Sequence, residues 1–486
     1  MSEKADASAI RVVGWGLVNG ANPGDAVLDC EVAIVGGGMV GLSLAIALAG
    51  AGIETVAIDA VPAAERVATA YDGRSSAIAL GSKRALDGIG LWPRLAPFAQ
   101  PILDIRVSDG RIVDGRGDGR GDGRGEGWGE GWGDDARAAL HPLGSGASHL
   151  VLHYDHRAAA VGGKGAGKDA DFDAPPFGYI VENRAIRKAL IDAAAALPNL
   201  QHLAPASLAS ETLRAGHVEL ALTDGRQIRT RLLIGADGRN SRVREGRGIG
   251  TARWDYAQTG IVCTVKHELP HKGVAHEHFL PAGPFAVLPM IDDEHGHRSS
   301  IVWTERRALA PSMLALSDDA FSAEMMRRFG DSLGAIRLLG DGKGGGRWSH
   351  PLGVLHADRY TDKRMALIGD AAHGIHPIAG QGLNLGLRDV AALAETIVDA
   401  RRLGLDIGIG EPLERYARWR RVDNLLLIAA TDSLNRLFAN DVAPVRLARD
   451  LGLAAVDRMP AVKRFFMRQA MGLVGDLPRL VKGEAL

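Results

Sequence analysis

Three apolar runs in this chain end in the same way. Glu31 to Val35 stops at Gly36, Arg231 to Ala236 stops at Asp237, and Met365 to Ile368 stops at Gly369-Asp370. Each then gives way to a glycine-rich or polar turn and a helix start. Units of this kind bind ligands outside the carboxyl ends of parallel strands, where helix N-termini offer backbone N–H groups to anions. Three of them, widely separated in sequence, predict an α/β fold whose strand ends converge on one long ligand.

The first unit is the most explicit. Gly36-Gly37-Gly38-Met39-Val40-Gly41 follows a β-rich run and opens a helical stretch to Ala51, and a second strand, Ile53 to Ile58, ends at Asp59. This is G-x-G-x-x-G in its required context: Gly36 for the tight turn, Gly38 for backbone approach to a pyrophosphate, Gly41 for close helix–strand packing. Met39 lies in the same turn, and Asp59 is the acid expected at a ribose hydroxyl. Val32 to Ile53 is uncharged and long enough to span a bilayer. The glycines cluster where a strand pattern breaks into a helix pattern, which favours the nucleotide turn instead.

The third unit adds Asp370, Pro377, Gly380, Gly382 and Asn384 ahead of a helix from Leu383, with apolar spacing through Leu385, Leu387, Val390, Leu393 and Ile397. An ordinary strand–helix turn accounts for one or two glycines, not for that combination. His373 and His376 lie in the loop without the cysteine or carboxylate spacing of a zinc site, so no metal is expected and pocket-lining or structural roles are favoured. No Ser-His-Asp or Cys-His arrangement stands at convincing spacing, and the catalytic residues stay unassigned.

Composition excludes several classes. The 486 residues carry a formal charge of −1, which gives no global nucleic-acid footprint. Cys30 and Cys263 are far apart, which suits a reducing cytoplasm rather than a disulfide framework. Glu3, Lys4 and Asp6 precede any apolar run, unlike a signal peptide, and residues 1–28 read as a flexible tail. Gly115 to Gly133 places glycine at every second position. Without an apolar face this is a flexible insertion, centred on 114–135, rather than a strand. Its arginines invite an RNA-binding reading, but Asp118, Asp122, Glu126 and Glu130 offset them.

At this point the residues resemble a family. Gly36-x-Gly38-x-x-Gly41, Asp237-Gly238-x-x-Ser241-x-x-Arg244 and Gly369-Asp370 with Pro377 and Gly380-Gln381-Gly382-Leu383-Asn384 look like the three FAD motifs of single-component aromatic hydroxylases of the para-hydroxybenzoate hydroxylase fold. Asp72 to Leu80, Gly90-Leu-Trp92, Gly178 to Arg184, and Tyr416 to Asn424 with Thr431-Asp432 resemble the branch that hydroxylates 2-polyprenylphenols (2-octaprenyl-6-methoxyphenol type) in ubiquinone biosynthesis.

The resemblance implies a Rossmann-like FAD-binding domain in three parts (29–100, 178–248 and 350–410), a discontinuous α+β substrate domain (101–177 and 249–349), and C-terminal helices over 411–486. It implies FAD held by Gly36, Gly38, Met39, Gly41 and Asp59 at the ADP half, and by Arg74 and Arg184 along the flavin and its phosphate–ribitol region. Asp237 would face the pyrophosphate, Asp370 the ribitol, and the backbone N–H groups of Leu383 and Asn384 the pyrimidine edge of the isoalloxazine, with Gly380 and Gly382 also in the FAD site. Pro377, Gly380 and His376 would border the flavin face. NAD(P)H would be the transient reductant, O2 the co-substrate, and a flavin C4a-hydroperoxide the agent that hydroxylates a polyprenylated phenol. Alternatives are a prenyl reductase or epoxidase of the same fold, or a flavin-bound structural member of a biosynthetic complex. The basic, leucine-rich stretch Pro444 to Lys482 suits either a peripheral contact with the inner membrane or packing on the protein's own core.

Overall fold

A computed structural model describes residues 27–68, 73–109, 151–157, 174–294, 296–340, 346–376, 378–439 and 458–486. The tail before residue 27, Asp72, the glycine-rich insertion, Pro377 and the stretch 440–457 lie outside the described residues.

The three runs singled out by the sequence are neighbours in one sheet. Val27–Val35 lies between Gln227–Gly235 and Thr55–Ile58, parallel to both, and Met365–Leu367 adds in parallel beyond Gln227–Gly235. The register sets Val35 beside Gly235 and Ile58, and Gly235 beside Leu367, so all four strands end at one level. Leu200–Leu203 extends the sheet in parallel on the far side. These strands are short, continuous apolar runs because both faces are covered: Val32 to Ile34, Leu232 to Ile234 and Met365 to Leu367 are all fully buried. The first strand begins at Val27, two residues inside the expected tail, because Val27 and Leu28 pair with Gln227 and Ile228.

The helix Met39–Gly50 lies against this sheet, with every residue from Gly41 to Ala49 buried. Its apolar character comes from that burial, and among the described residues no helix is long and apolar enough to cross a membrane. The turn before it demands glycine twice. Gly36 has φ +116°, and a Cβ there would meet the Ala236 carbonyl oxygen at 2.2 Å. A Cβ on Gly41 would lie 1.9 Å from the Gly36 carbonyl oxygen.

A second sheet of nine strands stands beside the first. Its spine, Thr251–His267, pairs antiparallel with Gly296–Arg306 and Arg347–Ala357. Gly283–Asp293 and Val274–Leu280 continue outward to the hairpin of Asp104–Asp109 with Val151–Asp155, the two strands that the insertion joins. One face is closed by the helix Asp318–Phe329, whose Phe321, Met325 and Phe329 pack on Ile261, Cys263, Val287, Ile301 and Trp303. The opposite face looks toward the first sheet. Thr264 donates from Oγ1 to the Gly73 carbonyl at 3.1 Å, and Ala275 and Met290 join a buried cluster with Leu80 and Ile180.

Two strands run across the boundaries anticipated from the sequence. Arg347–Ala357 stays in the second sheet past residue 349, and Ala99–Ile102 joins Ser75–Ala79 and Gly178–Glu182 in a small third sheet. The C-terminal region is helical where described, as Glu411–Phe438, Pro460–Ala470 and Arg479–Lys482. Its last helix returns to the helical layer on the first sheet, where Leu480 and Val481 pack on Ala85 and Ala391.

Gly41→Ala forces a methyl group into backbone. It is expected to destabilise the protein by about 1–3 kcal/mol, read as a lowered midpoint in chemical denaturation.

Candidate cofactor and substrate site

Two helix N-termini meet at the level where the parallel strands end. Met39–Gly50 starts at Gly38, Gln381–Arg402 starts at Gly380, and neither is capped by a side chain or carries an acid in its first turn. The first N–H groups of a helix have no intrahelical acceptor and stabilise negative charge. The two helices touch where Gly386 meets Val40, close enough that a Cβ on Gly386 would lie 2.6 Å from Val40 Cγ2. At Gly38 and Gly382, by contrast, an added Cβ meets nothing within 4 Å. These two open glycines, each beside an uncapped helix start, form the cradle that a dinucleotide's pyrophosphate and a ring edge require. The residues present therefore fit FAD.

The acid loop is held from beneath by a buried ionic network. Gly369–Ala371 forms one turn of 3-10 helix, and the Asp389 carboxylate accepts from Gly369 N at 3.0 Å, from His373 Nε2 at 2.5 Å and from Arg420 Nε at 2.8 Å. Burial alone would raise the Asp389 carboxyl, but His373 and Arg420 outweigh it and hold the group at about 2. Arg420 also donates to Asp423 at 2.5 Å and Asn424 at 2.8 Å, and Asn424 donates to Tyr360 Oη at 3.2 Å. Tyr416 donates from its hydroxyl to the Leu367 carbonyl at 2.8 Å. Tyr416, Arg420, Asp423 and Asn424 recur at helical spacing on one face of Glu411–Phe438, so the motif at 416–424 is the prop of the acid loop.

Asn384 does a similar job for the other helix start. Its side-chain oxygen accepts from Ala79 N at 2.9 Å, and its amide donates to the Ala77 carbonyl at 2.9 Å and the Gly380 carbonyl at 3.2 Å. The helix entry is thereby pinned to the strand Ser75–Ala79, which follows Arg74. Pairing of that strand with Gly178–Glu182, and a bond from Asn183 N to the Arg74 carbonyl at 3.0 Å, bring Arg74 beside Arg184. Arg184 pairs with Glu182 and lines a groove of about 340 Å³ together with Arg298 and Met290 of the second sheet.

Several expected ligand groups are engaged within the protein. Asp59 stands at the end of its strand, buried, with its carboxylate paired to Arg66 and accepting from Val61 N at 3.1 Å. Asp237 Oδ2 accepts from Arg242 N at 2.7 Å at the start of the helix Arg242–Gly246, while Oδ1 is buried without a partner. Asp370 is half exposed and lies 3.5 Å from Arg239. Sequence reasoning gave Arg244 no role of its own. Its buried guanidinium donates to the carbonyls of Ala371 (2.9 Å) and Arg239 (2.7 Å), which ties the second motif to the third.

The inner face of the second sheet is not fully covered. On the inner face of the second sheet, cross-strand pairing aligns Val107, Glu277, Ala286, Val302, Val262 and Trp348 in one row. All but Ala286 keep accessible surface, whereas the outer face is sealed. Trp348 ends the row against Gly73, next to Arg74, since a Cβ on Gly73 would meet its ring at 2.1 Å. His376 is fully buried with both ring nitrogens unpartnered, and its ring meets Tyr256 edge-on at 5.1 Å. Burial pushes it down to about 4, so it is neutral near pH 7. Tyr256 in turn donates to Asp432 at 2.6 Å, which places Thr431-Asp432 at this end of the site.

Comparison with known proteins agrees with this geometry. The family model described as FAD binding domain matches residues 29–402. Ubiquinone hydroxylase UbiL of Rhodospirillum rubrum is 48% identical over 95% of this chain and 95% of its own. The chain belongs to the FAD-dependent ubiquinone hydroxylases. The 3-demethoxyubiquinol 3-hydroxylase of Escherichia coli is 34% identical over 91% of this flavoprotein and 98% of its own length. Among solved structures, p-nitrophenol 4-monooxygenase PnpA of Pseudomonas putida matches with a TM-score of 0.67 at 18% identity, covering 92% of this chain and 99% of that one, which shows the shared fold. A squalene epoxidase model matches residues 348–459.

Two substitutions separate architecture from ligand contact. Gly38→Ala adds a methyl only where the ligand would lie, so the flavin-free protein should unfold at the wild-type midpoint while FAD affinity falls at least about tenfold in fluorescence titration. Asp389→Asn leaves buried Arg420 with only Asp423 to balance its charge and removes the carboxylate that His373 faces, and should cost about 3–5 kcal/mol. The folded carboxyl sits below the unfolded value of roughly 3.9. Its contribution is therefore complete above about pH 4 and is lost as pH falls toward 2. Wild type and Asp389→Asn should converge in stability over that window.

Proposed function

We propose that this flavoprotein is a monooxygenase that hydroxylates the ring of a polyprenylated phenol during ubiquinone biosynthesis, with O2 as co-substrate and NAD(P)H as transient reductant. The observation that carries the proposal is the row from Val107 to Trp348, apolar except for Glu277, which faces the FAD layer and ends against the Gly73-Arg74 turn. Bound FAD supplies the oxygen chemistry. The chain's own groups do the rest. Gly36, Gly38, Met39, Gly41 and Asp59 hold the ADP half, with Arg66 sharing the Asp59 carboxylate. Arg74, Arg184, Asp237 and Asp370 flank the phosphate–ribitol region. The N–H groups at Gly382, Leu383 and Asn384 steady negative charge on the reduced ring, because they sit at a helix start. The two-sheet enclosure excludes water from the reacting face. Gly380 and His376 border that face in this proposal. The squalene epoxidase match keeps epoxidation of a prenyl chain as the second reading.

A peripheral membrane contact and a place in a biosynthetic complex belong to the same proposal. The helix Pro460–Ala470 turns Met467 into the core and leaves Phe465 53% exposed among Arg464 and Arg468, so it serves packing and exposure at once. Val422 and Leu426 on the long helix are likewise exposed, at 61% and 67%. Such a surface suits anionic lipid. In flotation assays with vesicles containing phosphatidylglycerol, binding should fall with salt and with Phe465→Ser plus Phe466→Ser; retained binding in the double variant would refute this contact.

The function is tested with purified holoenzyme, O2 and an ortho-prenylphenol. NAD(P)H oxidation should rise with the phenol, and mass spectrometry should find the ring-hydroxylated product. Reductant consumption without a hydroxylated ring would reject ring hydroxylation. In a deletion strain, an under-hydroxylated quinone precursor should accumulate.

A further inference from the structure

The strand Val274–Leu280 carries the sequence His276-Glu277-His278, and alternation sends these side chains to opposite faces. His276 packs edge-on against Phe329 at 5.1 Å and His278 bonds Ser108 at 2.7 Å, so both belong to the sealed outer face. Glu277 therefore points inward, with Ala275 and Phe279. Ala275 is buried in the cluster that holds Leu80, Met467 and Met471, and Phe279 stacks on Phe438 at 4.2 Å. Glu277 lies between these two closed contacts. Its cross-strand neighbours are Val107 and Ala286, and it is the one ionisable side chain in the row that runs on to Trp348.

An unpaired carboxylate in such surroundings is costly unless something polar meets it. No hydrogen bond or ion pair holds Glu277 among the described residues, yet its side chain keeps accessible surface in the middle of the sheet. A hydroxyl arriving along this row would find Glu277 as its one ionisable acceptor, with the unpartnered hydroxyls of Ser300 and Thr304 as neutral neighbours on the same face. We infer that Glu277 contacts the substrate, accepting a hydrogen bond from the phenolic hydroxyl and so fixing which edge of the ring faces the flavin. The inference rests on the phenol reading proposed above.

Charge state fits the role. Burial pushes the Glu277 carboxyl up to about 7, and no neighbouring charge contributes to the shift. The stronger acceptor, the carboxylate, is the form present above that pH. A hydrogen bond to it pulls the phenolic proton toward the carboxylate and leaves the phenol oxygen more electron-rich, so that it donates into the ring and activates the ring carbons for oxygen transfer.

The test compares ortho-prenylphenol with its methyl ether, which lacks the donor. Each is titrated into holoenzyme and followed by perturbation of the flavin absorbance. Wild type should prefer the phenol by roughly tenfold or more, and the preference should shrink as pH is taken from above to below about 7. In Glu277→Gln the preference should fall below about threefold and lose its pH dependence, with flavin content unchanged. Phenol turnover should also release more hydrogen peroxide per reductant consumed. A Glu277→Gln enzyme with the wild-type preference and pH profile overturns the inference. Should that variant lose its flavin, Glu277→Asp decides instead: a displaced pH midpoint supports the contact, and an unchanged one refutes it. If wild type hydroxylates the phenol without preferring it to the ether, Glu277 alone is refuted. If wild type neither binds nor hydroxylates the phenol, the functional proposal falls, and this assignment falls with it.

Discussion

The Asp389 carboxylate is the fixed point on which the site depends. It is fully buried, and its bonds reach three separate pieces of chain: the Gly369 turn, His373 in the following loop, and Arg420 on the long C-terminal helix. Removing a charge of this kind from water is expensive, and several charge-assisted bonds are needed to offset that. The reward is geometric. The acid loop and the helix start beyond it cannot shift without breaking the network.

From that point rigidity spreads in two directions. Arg244 fastens the second strand-end loop to the carbonyl of Ala371, and Asn384 fastens the helix start to the strand after Arg74. The three loops thus form one wall, although they come from opposite ends of the chain. The glycines divide the labour differently. Gly36 and Gly41 let backbone pass close to backbone, whereas Gly38 and Gly382 leave space that only a ligand would fill. The first pair makes the fold and the second makes the site.

Much of this was legible in the sequence because it rests on local backbone demands. A strand that stops at Gly36 or at Gly369-Asp370 announces itself within a few residues, and the doubly wound sheet follows from having three such ends. The second sheet follows from the discontinuous substrate domain expected over 101–177 and 249–349, though Arg347–Ala357 carries it past 349. The supporting network was not legible in the same way. Asp389, His373 and Arg420 meet only after the long helix has packed, and nothing in their spacing distinguishes a buried ion pair from surface charge. Asp237 shows the limit from the other side, because an acid at a strand end serves equally to cap its own helix. Glu277 was hidden for a third reason: between two histidines it reads as polar surface, and only cross-strand pairing places it on the inner face.

The account makes oxygen insertion into a phenol ring the central chemistry, and isotope labelling addresses this most directly. Holoenzyme is reduced without oxygen, mixed with ortho-prenylphenol, and exposed to heavy-isotope O2. One labelled oxygen atom should appear on the aromatic ring in the bulk of the product, with the prenyl chain unchanged. Label found on the prenyl chain, or a product that carries no label, would contradict it.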